Sequence, residues 1–154
     1  TNRLIAKQIK HGMFVTSFYC ILDTASGRMV FASAGHNPMV IYRHAQRGYE
    51  LAQPKGLAIG FNEGPLFDKT IQEFETVLGP GDGFVLYTDG FPEAMNERNE
   101  EFGDERFYQA IARYGVNSDA KEIIKGLLTE IAAHRGRAAQ SDDLTIIAVR
   151  RQDA

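Results

Sequence analysis

The residues best suited to chemistry are two aspartates far apart in the chain, Asp89 in Tyr87-Thr88-Asp89-Gly90 and Asp142 in Ser141-Asp142-Asp143-Leu144-Thr145. The first ends a short apolar run and the second leads into another. If those runs are antiparallel neighbours, the end of one lies beside the start of the other, and both carboxylates reach the same sheet edge. Converging carboxylates repel each other unless a positive charge lies between them. A divalent cation fills that role, and all-oxygen ligation without cysteine or clustered histidine points to magnesium or manganese rather than zinc. Gly90, having no Cβ, lets backbone or substrate approach closely. A plainer reading stands beside this one: Asp-Gly after a strand is a common turn, and Ser-Asp-Asp before a strand a common loop. Asp82 and Asp104 also fall in loops and carry no evident chemistry.

Other candidate side chains read as structural. The single cysteine, Cys20, sits in the apolar run Phe18-Tyr19-Cys20-Ile21-Leu22, where it serves as a small hydrophobe with nothing nearby to activate its thiol. His36 and Asn37 occupy a Gly-His-Asn-Pro connection and read as loop residues. His11, His44 and His134 show no paired spacing and read as surface residues. Pro92 suits the first position of a helical turn, with Glu93 favourable near its positive end, which makes Glu93 structural rather than catalytic.

The elements that must position the aspartates follow from pattern. Thr1 to His11 has helix-like apolar spacing and no evident cap. Met13 to Asp23 reads as a strand, closed by the turn Asp23-Thr24-Ala25-Ser26-Gly27 into a second strand from Arg28 to Ser33. Met39 to Arg43 reads as a third strand, Tyr49 to Ala52 as an edge strand, and Phe67 to Val77 as one long strand. After the turn at Gly79-Pro80-Gly81-Asp82-Gly83, Phe84 to Thr88 is a strand buried on both faces. Helices are expected from Glu105 to Tyr114, stopped by Gly115, and from a Ser118 cap to about His134. Leu144 to Val149 is the last strand. Many strands, two helices and a final strand favour an α+β fold on antiparallel sheets over a doubly wound one.

A chain of 154 residues amounts to one domain. Its formal charge of -3 argues against nucleic acid or an anionic membrane as a partner, since those are met by a basic excess. Neither a leader peptide nor a run of about 20 apolar residues is visible, so a reducing cytoplasmic setting is the simplest fit.

Several segments in order resemble the SpoIIE-like branch of the metal-dependent PPM serine/threonine protein phosphatases. They are Met13-Phe14-Val15-Thr16, Ala34-Gly35-His36-Asn37-Pro38, Gly79-Pro80-Gly81-Asp82-Gly83, Leu86-Tyr87-Thr88-Asp89-Gly90, Glu93-Ala94-Met95-Asn96, Phe102-Gly103-Asp104-Glu105-Arg106-Phe107 and Ser141 to Val149. The resemblance spans residues 1–154 and implies an αββα sandwich of antiparallel sheets flanked by helices. It implies a site for two Mn2+ or Mg2+ ions in which Asp89 and Asp142 are metal ligands and Gly90 and Asp143 lie beside the metal. Catalysis would then use metal-activated water rather than a protein nucleophile, on phosphoserine or phosphothreonine of a regulatory protein such as a phosphorylated STAS-type anti-anti-sigma factor.

The family's earlier aspartate and glycine-rich turn have no counterpart here. The domain is therefore expected to be N-terminally truncated, with one partial metal site, weak metal binding and little activity of its own. Unpaired sheet edges would favour self-association, for example as a homodimer. The alternative function is a pseudo-phosphatase or phosphoprotein-binding signalling module that keeps the fold without the chemistry.

Overall fold

The computed structural model describes residues 1–10 and 12–152; His11, to which the first helix was expected to run, lies outside them. The elements are α1 (Asn2–Gln8), β1 (Ser17–Leu22), β2 (Arg28–Ala34), β3 (Met39–Arg43), β4 (Gly48–Ala52), α2 (Pro65–Thr70), β5 (Glu73–Val77), β6 (Gly83–Tyr87), α3 (Asp104–Gly115), α4 (Ala120–Arg135) and β7 (Ile146–Arg150). They form a mixed α+β fold with two antiparallel sheets, ordered β1-β2-β5 and β4-β3-β6-β7, as the sequence predicts. The chain divides into two compact units, Thr1–Pro38 with Gln53–Leu78 and Met39–Ala52 with Gly79–Ala154. No helix among the described residues is long and apolar enough to cross a membrane.

In the first unit the side-chain alternation of β1 and β2 separates two faces. Phe18, Cys20 and Leu22 stand opposite Ser33, Phe31 and Met29, and Phe31 also faces Phe74 of β5. Phe18 and Phe31 stack with ring centroids 5.6 Å apart. Tyr19 and Ile21 point the other way and are exposed. The β1–β2 turn forms because the Asp23 carboxylate accepts from the Ala25 and Ser26 N–H groups and Gly27 takes φ +78°.

Two expectations in this unit are corrected. The first strand starts at Ser17 rather than Met13. Its partner β2 ends at Ala34, opposite Ser17, and Gly35 then turns away with φ +71°, so the preceding residues have no β2 partner. They instead form a single bridge in which Val15 and Ile59 exchange two 2.8 Å backbone hydrogen bonds. The long strand expected from Phe67 to Val77 is instead the short helix α2 followed by β5. Pro65 presets the first helical turn and Ile71 N–H closes onto the Phe67 carbonyl, a local bias that short-range alternation does not reveal.

In the second unit α3 and α4 cover one face of the four-stranded sheet. Val40, Tyr42, Val85 and Tyr87 meet Phe107, Ala110 and Ile111 of α3 and Ile123, Leu127 and Ile131 of α4 in one buried cluster. Gly115 ends α3 where a Cβ would lie 2.4 Å from the Tyr42 ring, so the helix can only approach the sheet this closely with glycine. The expected Ser118 cap is corrected to Asp119. Its carboxylate accepts from Glu122 N–H at 2.8 Å, and the Glu122 carboxylate accepts from Asp119 N–H, a reciprocal pair that Ser118 does not make.

Candidate metal centre at the ends of β6 and β7

β6 and β7 are antiparallel neighbours, with Tyr87 opposite Ile146 as their last pair. The adjacency on which the aspartate argument depended is therefore present, and it continues past the formal strands. Thr88 N–H donates to the Thr145 carbonyl at 3.1 Å. The Thr88 hydroxyl donates to the Asp143 carbonyl and accepts from Thr145 N–H, each at 3.0 Å. One threonine thus stitches the segment that carries Asp89 to the one that carries Asp142 and Asp143.

Asp89 opens a tight turn in which its carbonyl accepts from Glu93 N–H at 3.0 Å. The turn is anchored by Phe91, fully buried and 5.3 Å from the Phe107 ring, and by Pro92, whose carbonyl accepts from Gly103 N–H. Gly90 presses against the neighbouring segment: a Cβ there would fall 2.5 Å from the Asp143 carbonyl oxygen and 3.3 Å from Leu144 Cδ2. Opposite, Asp142 Oδ1 accepts from Asp143 N–H at 2.7 Å and the Asp142 carbonyl accepts from Gln140 Nε2. Asp89, Asp142 and Asp143 are all exposed.

This donor chemistry fits a hard cation: exposed carboxylates and backbone carbonyls, with no sulfur or imidazole in either segment. Among the described residues, however, no group of three or more His, Cys, Asp or Glu side chains is placed to hold a metal ion.

The remaining candidates fall elsewhere. Asp82 sits at the start of β6, the opposite end of the strand from Asp89. It is a buried structural anchor, paired with Arg43 at 3.0 Å and accepting from the His44 and Gly79 N–H groups. Asp104 opens α3 and accepts from the Tyr108 hydroxyl, which lies 2.9 Å from that of Tyr87. Burial first, and then this contact, pushes the Tyr87 phenol far above its usual range. Glu93 is exposed beside the turn. Cys20 is half-buried, and burial raises its thiol pKa, consistent with an inert side chain. His134 lies between Arg106 and the Glu100 carbonyl. The tie made by Thr88 has only one signal in the sequence, a hydroxyl residue at the junction of strand and aspartate.

An α+β fold with two antiparallel sheets, and acidic residues at the joined ends of the neighbouring strands β6 and β7, agrees with the phosphatase class that the motifs resemble. The family model "Stage II sporulation protein E (SpoIIE)" matches residues 1–152, and the chain belongs to the SpoIIE family. It is 32% identical over 155 residues to Protein IcfG of Synechocystis sp. (strain ATCC 27184 / PCC 6803 / Kazusa), covering 98% of this chain and 23% of that protein. It is 27% identical over 151 residues to the phosphoserine phosphatase RsbU of Bacillus subtilis (strain 168), covering 98% of this chain and 43% of RsbU. The chain thus spans less than half the length of either relative. Its fold matches the PP2C phosphatase domain of the cell-fate determinant SpoIIE of Bacillus subtilis, solved with a fragment of its regulatory domain. That match has a TM-score of 0.70 and 20% identity, and covers 97% of this chain and 42% of that one.

Proposed function

We propose that residues 1–154 form part of a SpoIIE-like phosphatase domain that hydrolyses phosphoserine or phosphothreonine on a regulatory protein, with Asp89 and Asp142 as ligands of Mn2+ or Mg2+. The observation that carries this reading is the junction of β6 and β7, where Thr88 and Gly90 lock the two aspartate-bearing segments together. Bound there, divalent cations would supply Lewis-acid activation of water and neutralise phosphoryl oxygens. The chain's own residues do the positioning. Asp89 and Asp142 offer the carboxylates, while Asp143 holds the backbone to which both Thr88 and Gly90 attach. The Thr88 hydroxyl is committed to two hydrogen bonds and is not a free nucleophile. By its resemblance to partner-switching phosphatases, the proposed substrate is a phosphorylated STAS-type anti-anti-sigma protein.

A second reading is favoured by one observation, the lack of three grouped ligand side chains among the described residues. Under it, these residues alone bind metal weakly and act as a phosphoprotein-binding module. Manganese-dependent hydrolysis of a phosphoserine peptide by the protein in its natural full-length form separates the two. Turnover that falls by a factor of about 100 or more in Asp89→Asn and in Asp142→Asn is the expected result. Turnover indifferent to both substitutions, or no turnover with manganese, overturns the phosphatase reading.

A further inference from the structure

Away from Thr88 and Gly90, the two aspartate-bearing segments are joined a second time, through His134. The chain that leaves the Asp89 turn doubles back as a short hairpin. An isolated bridge pairs Met95 with Glu101, and Phe102 N–H donates to the Ala94 carbonyl at 2.9 Å. On the other side, α4 ends at Arg135 and the chain continues into Asp142.

His134, half-buried in the last turn of α4, spans these two pieces. Its Nε2 lies 3.0 Å from the Glu100 carbonyl, which also accepts from Asn96 N–H within the hairpin. Its ring meets the buried Phe102 ring edge to face, with centroids 5.3 Å apart. From α3, the Arg106 guanidinium lies 4.2 Å from the centre of the same Phe102 ring, and its Nη1 reaches His134 Nδ1 at 3.1 Å. Hairpin, α3 and α4 therefore meet at one imidazole.

The two partners fix where its proton sits. A guanidinium only donates, so Nδ1 accepts; a carbonyl only accepts, so Nε2 carries the hydrogen. One species satisfies both contacts, the neutral ring protonated at Nε2. A further proton on Nδ1 would set donor against donor and positive charge against positive charge, and the Arg106 contact would be lost. The other charged groups nearby are accounted for. The Glu100 carboxylate accepts from Asn96 Nδ2, Glu130 one turn back on α4 pairs with Arg113, and Arg135 donates to the Ala138 carbonyl. The Glu97 carboxylate lies by Gly136, where a Cβ would be 3.4 Å from its oxygen.

We propose that His134 is a positioning residue of the candidate metal centre. Neutral and protonated at Nε2, it clasps the hairpin that follows Asp89 to the helix that leads into Asp142, and its protonation loosens the centre. The link to metal rests on the proposed placement of the cation at Asp89 and Asp142, whereas the clasp and its tautomer rest on these contacts alone.

The test uses the protein in its natural full-length form, with isotopically labelled histidine, beside His134→Gln and His134→Ala. Glutamine offers an acceptor and a donor spaced much like the ring nitrogens and takes no proton, whereas alanine removes both bonds. Ring nitrogen chemical shifts read the tautomer. Hydrogen exchange without metal reads how firmly residues 88–93 and 141–145 are held, and electron paramagnetic resonance of free Mn2+ reads affinity. The Nε2–H tautomer is expected, with exchange in both segments about tenfold faster in His134→Ala and close to the parent in His134→Gln. Between about pH 8 and about pH 5.5, manganese affinity is expected to fall about threefold further in the parent than in His134→Gln. The Nδ1–H tautomer, exchange indifferent to alanine, or the same pH profile in parent and His134→Gln overturns the proposal. Manganese affinity lost in Asp89→Asn but unchanged in His134→Ala overturns the positioning role while sparing the metal centre. The expected tautomer and exchange with no manganese bound overturns the metal centre while sparing the clasp.

Discussion

Replacing Gly90 with alanine strikes the joint that holds the candidate site together. The added Cβ would sit 2.5 Å from the Asp143 carbonyl oxygen, against roughly 3.3 Å for a normal carbon–oxygen contact. The obstacle is backbone rather than the tip of a flexible side chain, so the two segments must separate by roughly 0.8 Å to relieve it. Overpacking of this kind costs about 2 kcal/mol. The same displacement stretches the 3.0 Å hydrogen bond from the Thr88 hydroxyl to the Asp143 carbonyl beyond a useful length, adding about 1 kcal/mol. Gly90→Ala is therefore expected to lose about 3 kcal/mol in urea unfolding followed by far-ultraviolet circular dichroism, and to weaken manganese binding in parallel. Gly48→Ala is the control: on edge strand β4, its Cβ would meet nothing closer than the Gln46 carbonyl at 3.8 Å. A Gly90→Ala protein within about 0.5 kcal/mol of the parent would show that the segments are not locked as described.

Two further outcomes bear on what supports the site. Asp82→Ala removes the partner of a largely buried Arg43 and the acceptor of two backbone N–H groups, and a loss of about 3 kcal/mol is expected in thermal unfolding, at the low end for such pairs because Arg43 keeps Glu50; a loss below about 1 kcal/mol would contradict this. Burial raises the pKa of Tyr42, Tyr87 and Tyr108 in the folded chain, so above the unfolded tyrosine value of about 10 the unfolded state holds fewer protons and stability falls as pH rises, by up to about 1.4 kcal/mol per pH unit per tyrosine. Unfolding titrations between neutral and strongly alkaline pH read that slope, and a stability curve as steep in Tyr87→Phe as in the parent would exclude Tyr87 from it.

What the sequence made legible was whatever has a strong local signature. The runs Met39 to Arg43 and Phe84 to Thr88 are apolar and bounded by turn residues, and both appear as strands almost where they were read. The stripe Ile123, Leu127, Ile131 on α4 is buried as its spacing requires. Boundaries failed where a nonlocal partner decides them: β1 starts where β2 has a residue to pair with, and nothing in Met13 to Thr16 says so. The Phe67 to Val77 segment failed for the opposite reason, since Pro65 nucleates a helical turn within a run that alternates like a strand. Asp119 and Ser118 are both good cap residues, and only the reach of Glu122 distinguishes them. At the site, Asp89 and Asp142 were visible as residues, but their shared location depended on β6 and β7 being neighbours. Thr88 was illegible because its importance lies in two hydrogen bonds to a segment more than fifty residues away, at separations of 55 and 57.

The most direct test of the account is to add manganese to isotopically labelled chain and map which backbone amide signals the paramagnetic ion broadens. Broadening centred on residues 89–90 and 142–143, and lost when Asp89 and Asp142 are both changed to asparagine, is the expected result. Broadening centred on other carboxylates, or unchanged in the double substitution, would contradict the placement of the metal at the joined ends of β6 and β7.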